Sequence, residues 1–394
     1  MTMRAAERVT AFGTSVFSEM SRLAAEHHAI NLGQGFPDFA GPEFVKEAAK
    51  LAIDADLNQY APSQGAARLR SAIAADWYAR YGRELDAERE VSITTGATEG
   101  LIAAMLALVN PGDEVVFFEP FYDGYVPDVL MAGGTPRVVR LQPPRASGGS
   151  WRFDPDELRA VVGPRTRLLL LNTPHNPTGK VFNRAELEQI AAVCQEHDVL
   201  ALTDEVYDRI TFDGHTHVPL ATLPGMWERT LTLNSTGKTF SMTGWKIGFA
   251  IGPAEFNAAI RATHQFITFA TATPFQDAMA SALEAAEARG YYRQLADDYA
   301  QRRERLRAAL TYAGLAPLAC EGSYFLLSDF TDFGFTEDVA FCRYLVTEIG
   351  VAAIPPSAFY LDRSTAPPLV RFCFAKRNET LDAAAERLAK LRGR

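Results

Sequence analysis

The 394-residue sequence predicts an α/β protein in which a large region with a mostly parallel sheet precedes a smaller α+β region. Two observations predict this fold class. Through the first two thirds of the chain, short apolar runs alternate with segments of helical periodicity, as in strands that are buried on both faces. After Gln276 the pattern changes to a long helical segment and then to further strand candidates, which indicates a second layered unit.

The first region contains two clear helices and five clear strands. The helices are predicted at 98–109, ended by Asn110-Pro111-Gly112, and at 184–197. The strands are predicted at 114–118, 167–171, 199–203, 230–233 and 247–251. Because strands that are separated by helices usually pair in parallel, these elements predict one parallel sheet with helices on both faces.

The second region begins with a helical segment at 277–314, which Gly290 could interrupt. Strands are predicted at 324–327, 351–354 and 369–374, and a last helix at about 378–391. We therefore expect an N-terminal segment (1–45) that packs with a small C-terminal domain (290–394), and a large domain (46–289) between them.

Composition excludes several classes of protein. Hydrophobic residues make up 47% and charged residues 22% of the chain, and the net charge is -9, which argues against a nucleic-acid partner. The four cysteines are scattered without a C-x-x-C pair, as in reduced core thiols of a cytoplasmic protein, and predict neither a disulfide framework nor a metal site. Residues 1–11 lack the apolar core of a signal peptide, and no apolar run reaches the ~18 residues of a membrane helix.

Polar side chains follow three consecutive strands of the predicted sheet. Asn172 follows one strand, Asp204 and Tyr207 follow the next, and Ser235 and Lys238 follow the third. In parallel sheets these carboxyl ends form the ligand-binding edge. Upstream, residues 95–98 (T-G-A-T) open the first helix, whose N-terminus offers backbone N–H groups to an anion.

That set of side chains suits a phosphorylated pyridine aldehyde. The aldehyde needs an amine, the ring nitrogen a carboxylate, the ring hydroxyl neutral partners, and the phosphate N–H groups with a cation. Of the seven lysines, Lys238 and Lys246 are the best candidates, one for the amine and the other for the phosphate cation, and the residues alone leave open which is which. Lys180 is a weaker choice. Lys46 and Lys50 fit a solvated helix face, and Lys376 and Lys390 lie on polar segments near the C-terminus.

Residues 235–248 (S-T-G-K-T-F-S-M-T-G-W-K-I-G) resemble the cofactor-lysine segment of class I aminotransferases of fold type I. Nearly the whole chain shares the resemblance, and several motifs match the kynurenine, glutamine and methionine aminotransferase branch in the expected order. These motifs are 31–39 (N-L-G-Q-G-F-P-D-F), 58–60 (N-Q-Y), 119–122 (E-P-F-Y), 172–179 (N-T-P-H-N-P-T-G), 204–207 (D-E-V-Y) and 370–374 (V-R-F-C-F).

The resemblance implies a pyridoxal 5'-phosphate enzyme that transfers amino groups to 2-oxo acids by a ping-pong mechanism. It implies that Lys238 is the Schiff-base lysine and proton shuttle, and that Asp204 pairs with the pyridine nitrogen. The other implied cofactor-binding residues are Gly96, Ala97, Thr98, Tyr122, Asn172, Asn176, Tyr207, Ser235, Lys246 and Tyr60. Tyr60 would reach the phosphate of the other subunit, so a homodimer is implied.

For the substrate, the resemblance implies that Arg371 binds the carboxylate, assisted by Asn176 and the backbone at Gly35. Phe17 and Phe269, with Tyr125, suggest an apolar side-chain pocket that favours methionine or aromatic donors over kynurenine. Phe269-Ala270 replaces the aromatic-histidine pair of some kynurenine enzymes. Cysteine-S-conjugate β-lyase and succinyl-diaminopimelate aminotransferase activities use the same scaffold and remain alternatives.

Other interpretations compete with this one. Residues 232–239 (T-L-N-S-T-G-K-T) approach the P-loop of nucleotide hydrolases but lack its first glycine. Ser235-x-x-Lys238 matches the first motif of serine acyl enzymes, but the S-D-N and K-T-G motifs of those enzymes do not follow it. Arg371 in an apolar strand could pair with an internal acid. His175 fits a structural role, and the His215 and His217 pair fits a surface turn better than a metal site.

Overall fold

The computed structural model describes residues 6–10, 12–13, 15–144 and 149–393. Part of the segment 1–11, for which the sequence predicts no signal peptide, therefore lies outside the described residues. The described strands are β1 (Ile30–Asn31), β2 (Val91–Thr95), β3 (Glu114–Glu119), β4 (Thr135–Arg140), β5 (Thr166–Asn172), β6 (Leu200–Asp204), β7 (Thr230–Ser235), β8 (Ile247–Ile251), β9 (Ala316–Pro317), β10 (Phe325–Asp329), β11 (Val351–Ala352) and β12 (Leu369–Cys373).

Helices separate most of these strands. They are α1 (Val16–Glu26), α2 (Glu43–Asp54), α3 (Ala67–Tyr81), α4 (Gly96–Leu108), α5 (Tyr125–Met131), α6 (Pro155–Val161), α7 (Arg184–Glu196), α8 (Thr236–Thr239), α9 (Ala254–Ile267), α10 (Thr273–Ala286), α11 (Tyr291–Tyr312), α12 (Asp338–Tyr344) and α13 (Asn378–Leu388). No helix in the described ranges is long and apolar enough to cross a membrane.

Seven strands form one sheet in the order β2-β8-β7-β6-β5-β3-β4. Strand β8 runs antiparallel to both of its neighbours, and the other pairs are parallel. The predicted α/β class with a mostly parallel sheet is thus confirmed. Because β5 and β6 end in register, Asn172 lies directly opposite Asp204.

The continuous leucine run of β5 is explained by burial on both faces of this sheet. Leu168 and Leu170 pack with one core cluster, which includes Leu101 of α4 and Ile260 of α9. Leu169 and Leu171 pack with a different cluster, which includes residues of α6 and α7. Since successive side chains of a strand point to opposite faces, a strand between two helical layers has no polar side.

The C-terminal part contains an antiparallel sheet of order β12-β10-β9. The predicted long helix is divided into α10 and α11 at Gly290, which has a φ of 65°. The N-terminal segment joins this part of the molecule, because β1 pairs in parallel with β11. These contacts place Arg371, in β12, beside the carboxyl ends of the strands of the seven-stranded sheet. The domain boundaries stay a prediction.

Candidate active site

A cavity of about 380 Å³ opens at the carboxyl ends of β5, β6 and β7, which is a volume typical of small-ligand sites. It brings together fourteen of the residues that the sequence singled out: Phe17, Gly35, Gly96, Ala97, Thr98, Tyr122, Asn172, Asn176, Asp204, Tyr207, Ser235, Lys238, Lys246 and Arg371. Tyr60 and Phe269 do not line it. Their ring centroids lie 5.2 Å apart on the surface, where Tyr60 is 83% exposed.

Lys238 lies in α8, one short turn after β7, and its side chain is partly buried. Its Nζ lies 2.9 Å from the hydroxyl oxygen of Tyr324. Burial lowers the pKa of Lys238 to about 8, since an ammonium group loses hydration in the cavity. A substantial fraction of this amine is therefore neutral near pH 7–8, as a nucleophile or a base requires.

Asp204 is the last residue of β6 and is buried. Its Oδ2 accepts a hydrogen bond of 2.7 Å from the Tyr125 hydroxyl, and burial raises the pKa of the carboxyl. Among the described residues, no lysine, arginine or histidine lies within 4 Å of it. A buried carboxylate without a cation is costly, so this one is suited to a positively charged ring nitrogen.

The turn after β5 is held by Asn172. Its Nδ2 donates to the Asp204 carbonyl at 2.8 Å, and its Oδ1 accepts from the Asn176 backbone N–H at 2.7 Å. This leaves the Asn176 side chain and the buried Tyr207 facing the cavity. Burial raises the pKa of Tyr207, so its phenol stays protonated and can donate a hydrogen bond at neutral pH.

The opposite end of the cavity is suited to an anion. Helix α4 begins at Gly96, and the Nζ of Lys246 lies 3.4 Å from the Thr98 hydroxyl. Gly96 has a φ of 71°, and a Cβ on Gly248 would lie 2.4 Å from the Gly96 carbonyl carbon. Both positions therefore need glycine to bring these groups together. Helix-terminal N–H groups beside a lysine form a phosphate site.

Arg371 is only 1% exposed. One nitrogen, Nη1, donates to Asn176 Oδ1 at 3.0 Å, Nη2 donates to the Gly33 carbonyl at 3.1 Å, and Nε has no partner in the described chain. The guanidinium lies 4.1 Å from the ring centroid of Phe325. Its hydrogen-bond partners among the described residues are neutral and no described carboxylate forms an ion pair with it, although the charge of Asp123 acts on its pKa from a greater distance. Burial lowers its pKa to about 10, and a carboxylate of a ligand would offset that cost.

Three interpretations of single residues were wrong. Tyr125 was assigned to an apolar substrate pocket, but its hydroxyl bonds Asp204 and its side chain does not line the cavity. Lys376 was set aside as part of a polar segment, but it is 3% exposed and donates to two backbone carbonyls. His217 was assigned to a surface turn, but it is buried, and its Nε2 lies 2.7 Å from Oε2 of Glu205.

The structure also reveals residues that sequence reasoning missed. Tyr324 bonds Lys238, and the cavity is further lined by Gln34, Phe36 and Phe325. Tyr324 immediately precedes β10, whose apolar pattern indicates only burial. No spacing rule connects it with a lysine 86 positions earlier in the chain.

The rival chemistries find little support. Residues 232–235 belong to strand β7 and are extended, whereas a P-loop needs them as a phosphate-wrapping loop.

The ammonium of Lys180 is bound by both carboxylate oxygens of Glu186, at 2.7 and 2.9 Å. His175 is buried, hydrogen-bonded to Thr178, and its pKa is lowered to about 3 by burial. The described residues contain no group of three or more side chains that could hold a metal ion.

Comparisons with known proteins agree with this geometry. Residues 27–388 match the family model of class I and II aminotransferases. The chain is 43% identical to a kynurenine–oxoglutarate transaminase of Dictyostelium discoideum, covering 99% of this chain and 97% of the relative. Two solved structures are similar over 98% of this chain and all of theirs. One is an Escherichia coli protein with a methionine aminotransferase function (42% identity, TM-score 0.93). The other is the N-succinyldiaminopimelate aminotransferase of Mycobacterium tuberculosis (46% identity, TM-score 0.95).

Proposed function

The chain belongs to the class I and II aminotransferase family, and from that premise we propose that it uses pyridoxal 5'-phosphate to transfer the amino group of an apolar, aromatic or sulfur-containing amino acid to a 2-oxo acid. Members of this family generally use this cofactor. Aminotransferases of this fold act on amino and oxo acids and are commonly dimeric.

One observation carries the proposal. Asp204, a buried carboxyl with no ion pair among the described residues, and Arg371, a buried guanidinium with none, line the same cavity as the amine of Lys238. Each unpaired charge would be costly unless a ligand compensated it. A protonated pyridine beside Asp204 and an amino-acid carboxylate beside Arg371 would compensate both charges.

The residues present fit the cofactor. Asp204 would hold the ring nitrogen, Tyr122 would stack on the ring, and Asn176 with Tyr207 would hold the ring hydroxyl. The phosphate would be held by the N-terminus of α4, Thr98, Ser235 and Lys246. When bound, the cofactor withdraws electrons from the α-carbon of the donor.

The chain's own residues would then move the proton. Lys238 would act as the base that removes the α-proton and as the acid that returns it, because a pKa of about 8 lies near the working pH. Arg371 would fix the donor through its carboxylate, so that the α-hydrogen faces Lys238. Because the amino group is stored between two half-reactions, the kinetics should be ping-pong.

The side-chain preference is supported by the walls of the cavity. Phe17, Phe36 and Phe325 line it. Its lysines and arginines within the described chain are Lys238, Lys246 and Arg371, all of which have other roles in the proposal. A second carboxylate on the donor would find no further cation in this subunit. This favours methionine and aromatic donors over an acidic donor such as N-succinyldiaminopimelate.

An absorbance spectrum tests the proposal. The purified protein with added pyridoxal phosphate should show a visible band. On addition of methionine, phenylalanine and glutamine together, that band should give way to the near-ultraviolet band of pyridoxamine phosphate, and adding each amino acid alone then identifies the donor. A protein that stays colourless after cofactor is added would contradict the assignment.

We further propose a homodimer that covers the surface around Tyr60. Tyr60 is 83% exposed, Phe266 85%, Phe269 46% and Ile267 41%, and such neighbouring aromatic side chains are typical of an interface. In the dimer, Tyr60 would reach the cofactor phosphate bound in the partner subunit, and Phe269 would reach the substrate bound there. Phe266→Glu should shift the protein to monomers in sedimentation velocity and weaken cofactor binding. A variant that stays dimeric would exclude this surface.

A further inference from the structure

Four consecutive backbone carbonyls at one wall of the cavity accept hydrogen bonds from three buried side chains. We call residues 33–36 the carbonyl segment. Its bonds are Arg371 Nη2 to Gly33 O (3.1 Å), Lys376 Nζ to Gln34 O (3.2 Å) and Phe36 O (2.9 Å), and Tyr324 Oη to Gly35 O (2.6 Å). The wall that carries Gly35 is therefore fixed by side chains from the C-terminal part of the chain.

Tyr324 is the donor that also contacts the reactive amine. A carbonyl oxygen only accepts, so the phenol proton of Tyr324 is directed at Gly35. Toward Lys238 its oxygen must then accept, and an N–H of the amine points at it over 2.9 Å. This arrangement fixes the direction of the remaining N–H groups and of the nitrogen lone pair of Lys238.

We propose that Tyr324 is a positioning residue for the transamination step, because its hydroxyl orients the Lys238 amine and ties it to the Gly35 wall of the substrate site. The proposal rests on the proposed function. It assigns to one hydroxyl the alignment between the base and the substrate carboxylate bound at Arg371.

The ring of Tyr324 is held independently of its hydroxyl. It stacks on Tyr299 with 5.9 Å between centroids, and it meets Tyr207 and Phe325 edge-on at 5.0 and 4.8 Å. Phenylalanine should therefore keep the packing and remove only the hydrogen bonds of the hydroxyl, which join it to Lys238, Gly35 and Tyr207. The titratable groups whose charges act on Lys238 would be unchanged: Asp204, Lys246, Arg371 and Cys373.

Lys376 offers a matched control. It bonds two carbonyls of the same segment, but no hydrogen bond joins it to Lys238 within the described residues. If Tyr324 acted only by holding the carbonyl segment, loss of the Lys376 ammonium would have the same consequences. If the contact with the amine matters, the two variants must differ in the protonation of Lys238.

The test compares wild type, Tyr324→Phe and Lys376→Met as holoenzymes. The midpoint of the acid limb in the pH profile of kcat reports protonation of the free Lys238 amine in the enzyme–substrate complex. In Tyr324→Phe the midpoint should fall by about one pH unit, because an acceptor that favours the protonated nitrogen is lost. Its kcat should fall about 10- to 100-fold with little change in KM. In Lys376→Met the midpoint should stay at the wild-type value, while KM should rise about tenfold.

Equal midpoint shifts in both variants, or a wild-type midpoint and kcat in Tyr324→Phe, would overturn the proposal while the aminotransferase assignment stood. A wild-type protein that shows no visible band with added pyridoxal phosphate would remove the proposed function, and this inference with it.

Discussion

The two halves of the cavity are built in different ways. The cofactor half (Gly96–Thr98, Asp204, Lys238 and Lys246) follows the ends of neighbouring strands in one sheet, with Asn172 opposite Asp204 and Ser235 opposite Gly248. The carboxylate half (Arg371 and the carbonyl segment) joins parts of the chain that lie more than 300 positions apart in sequence, through side-chain bonds to backbone carbonyls. Strand register positions the first half, and buried polar contacts position the second.

The largest effect should come from removing the amine of the cofactor half. Lys238→Ala should lose turnover by on the order of 10⁴-fold or more, because both the covalent link and the proton transfer disappear. The cofactor should still bind, non-covalently, since Asp204 and Lys246 remain. Steady-state kinetics and absorbance after gel filtration measure these two results. Turnover near the wild-type rate would show that the chemistry does not lie in the cofactor half.

The carboxylate half should respond differently. Arg371→Ala should lower kcat/KM about 10²- to 10³-fold for every amino donor, chiefly through KM, because the guanidinium recognises the carboxylate that all donors share. Arg371→Lys should recover part of the loss, since it keeps the charge but not the fork of donors. Kinetics with methionine, phenylalanine and glutamine test this. A loss confined to one donor would mean that Arg371 recognises side chains instead.

The same contrast explains what the sequence could predict. Strands β3 and β5–β8 and their polar ends follow from buried apolar runs, and with them most of the cofactor half. Strand β4 was missed because it lies at the sheet edge, contains Pro136 and is half exposed. Tyr324 and Lys376 were missed because a bond from a side chain to a distant carbonyl leaves no periodic signal. Lys376 therefore had the pattern of an ordinary surface lysine.

A smaller effect concerns stability without the cofactor. The pKa of Lys238 falls from 10.5 in a free lysine to about 8 in the folded protein. Below pH 8 both states are protonated and the folded state bears the full cost of the buried charge. As the pH rises to about 10.5 that cost disappears, because the unfolded state also becomes neutral. Lys238→Met should therefore raise the unfolding free energy of the apoprotein by roughly 1–3 kcal/mol at pH 7.

Urea unfolding of the cofactor-free protein at several pH values measures this difference. The gain of Lys238→Met should be constant below pH 8 and should vanish near pH 10.5. Lys46→Met is a matched control, because Lys46 lies on the surface of α2 beside Glu43. It should show no such pH dependence. A gain for Lys238→Met that is the same at all pH values would come from packing rather than from a buried charge.

The smallest effect should distinguish the cofactor half from ordinary core packing. Tyr125→Phe removes the hydroxyl that donates to Asp204, so the pKa of this carboxyl, already raised by burial, should rise further. Asp204 would then be a weaker partner for a positive ring nitrogen. We expect kcat to fall about tenfold and cofactor to be lost at a higher pH on acidification.

Tyr81→Phe is the control, because the Tyr81 hydroxyl is buried without a hydrogen bond to any described residue. If both variants behaved alike, the Tyr125 hydroxyl would contribute packing only, and the charge of Asp204 would have to be maintained by the backbone N–H of Val206, at 3.4 Å.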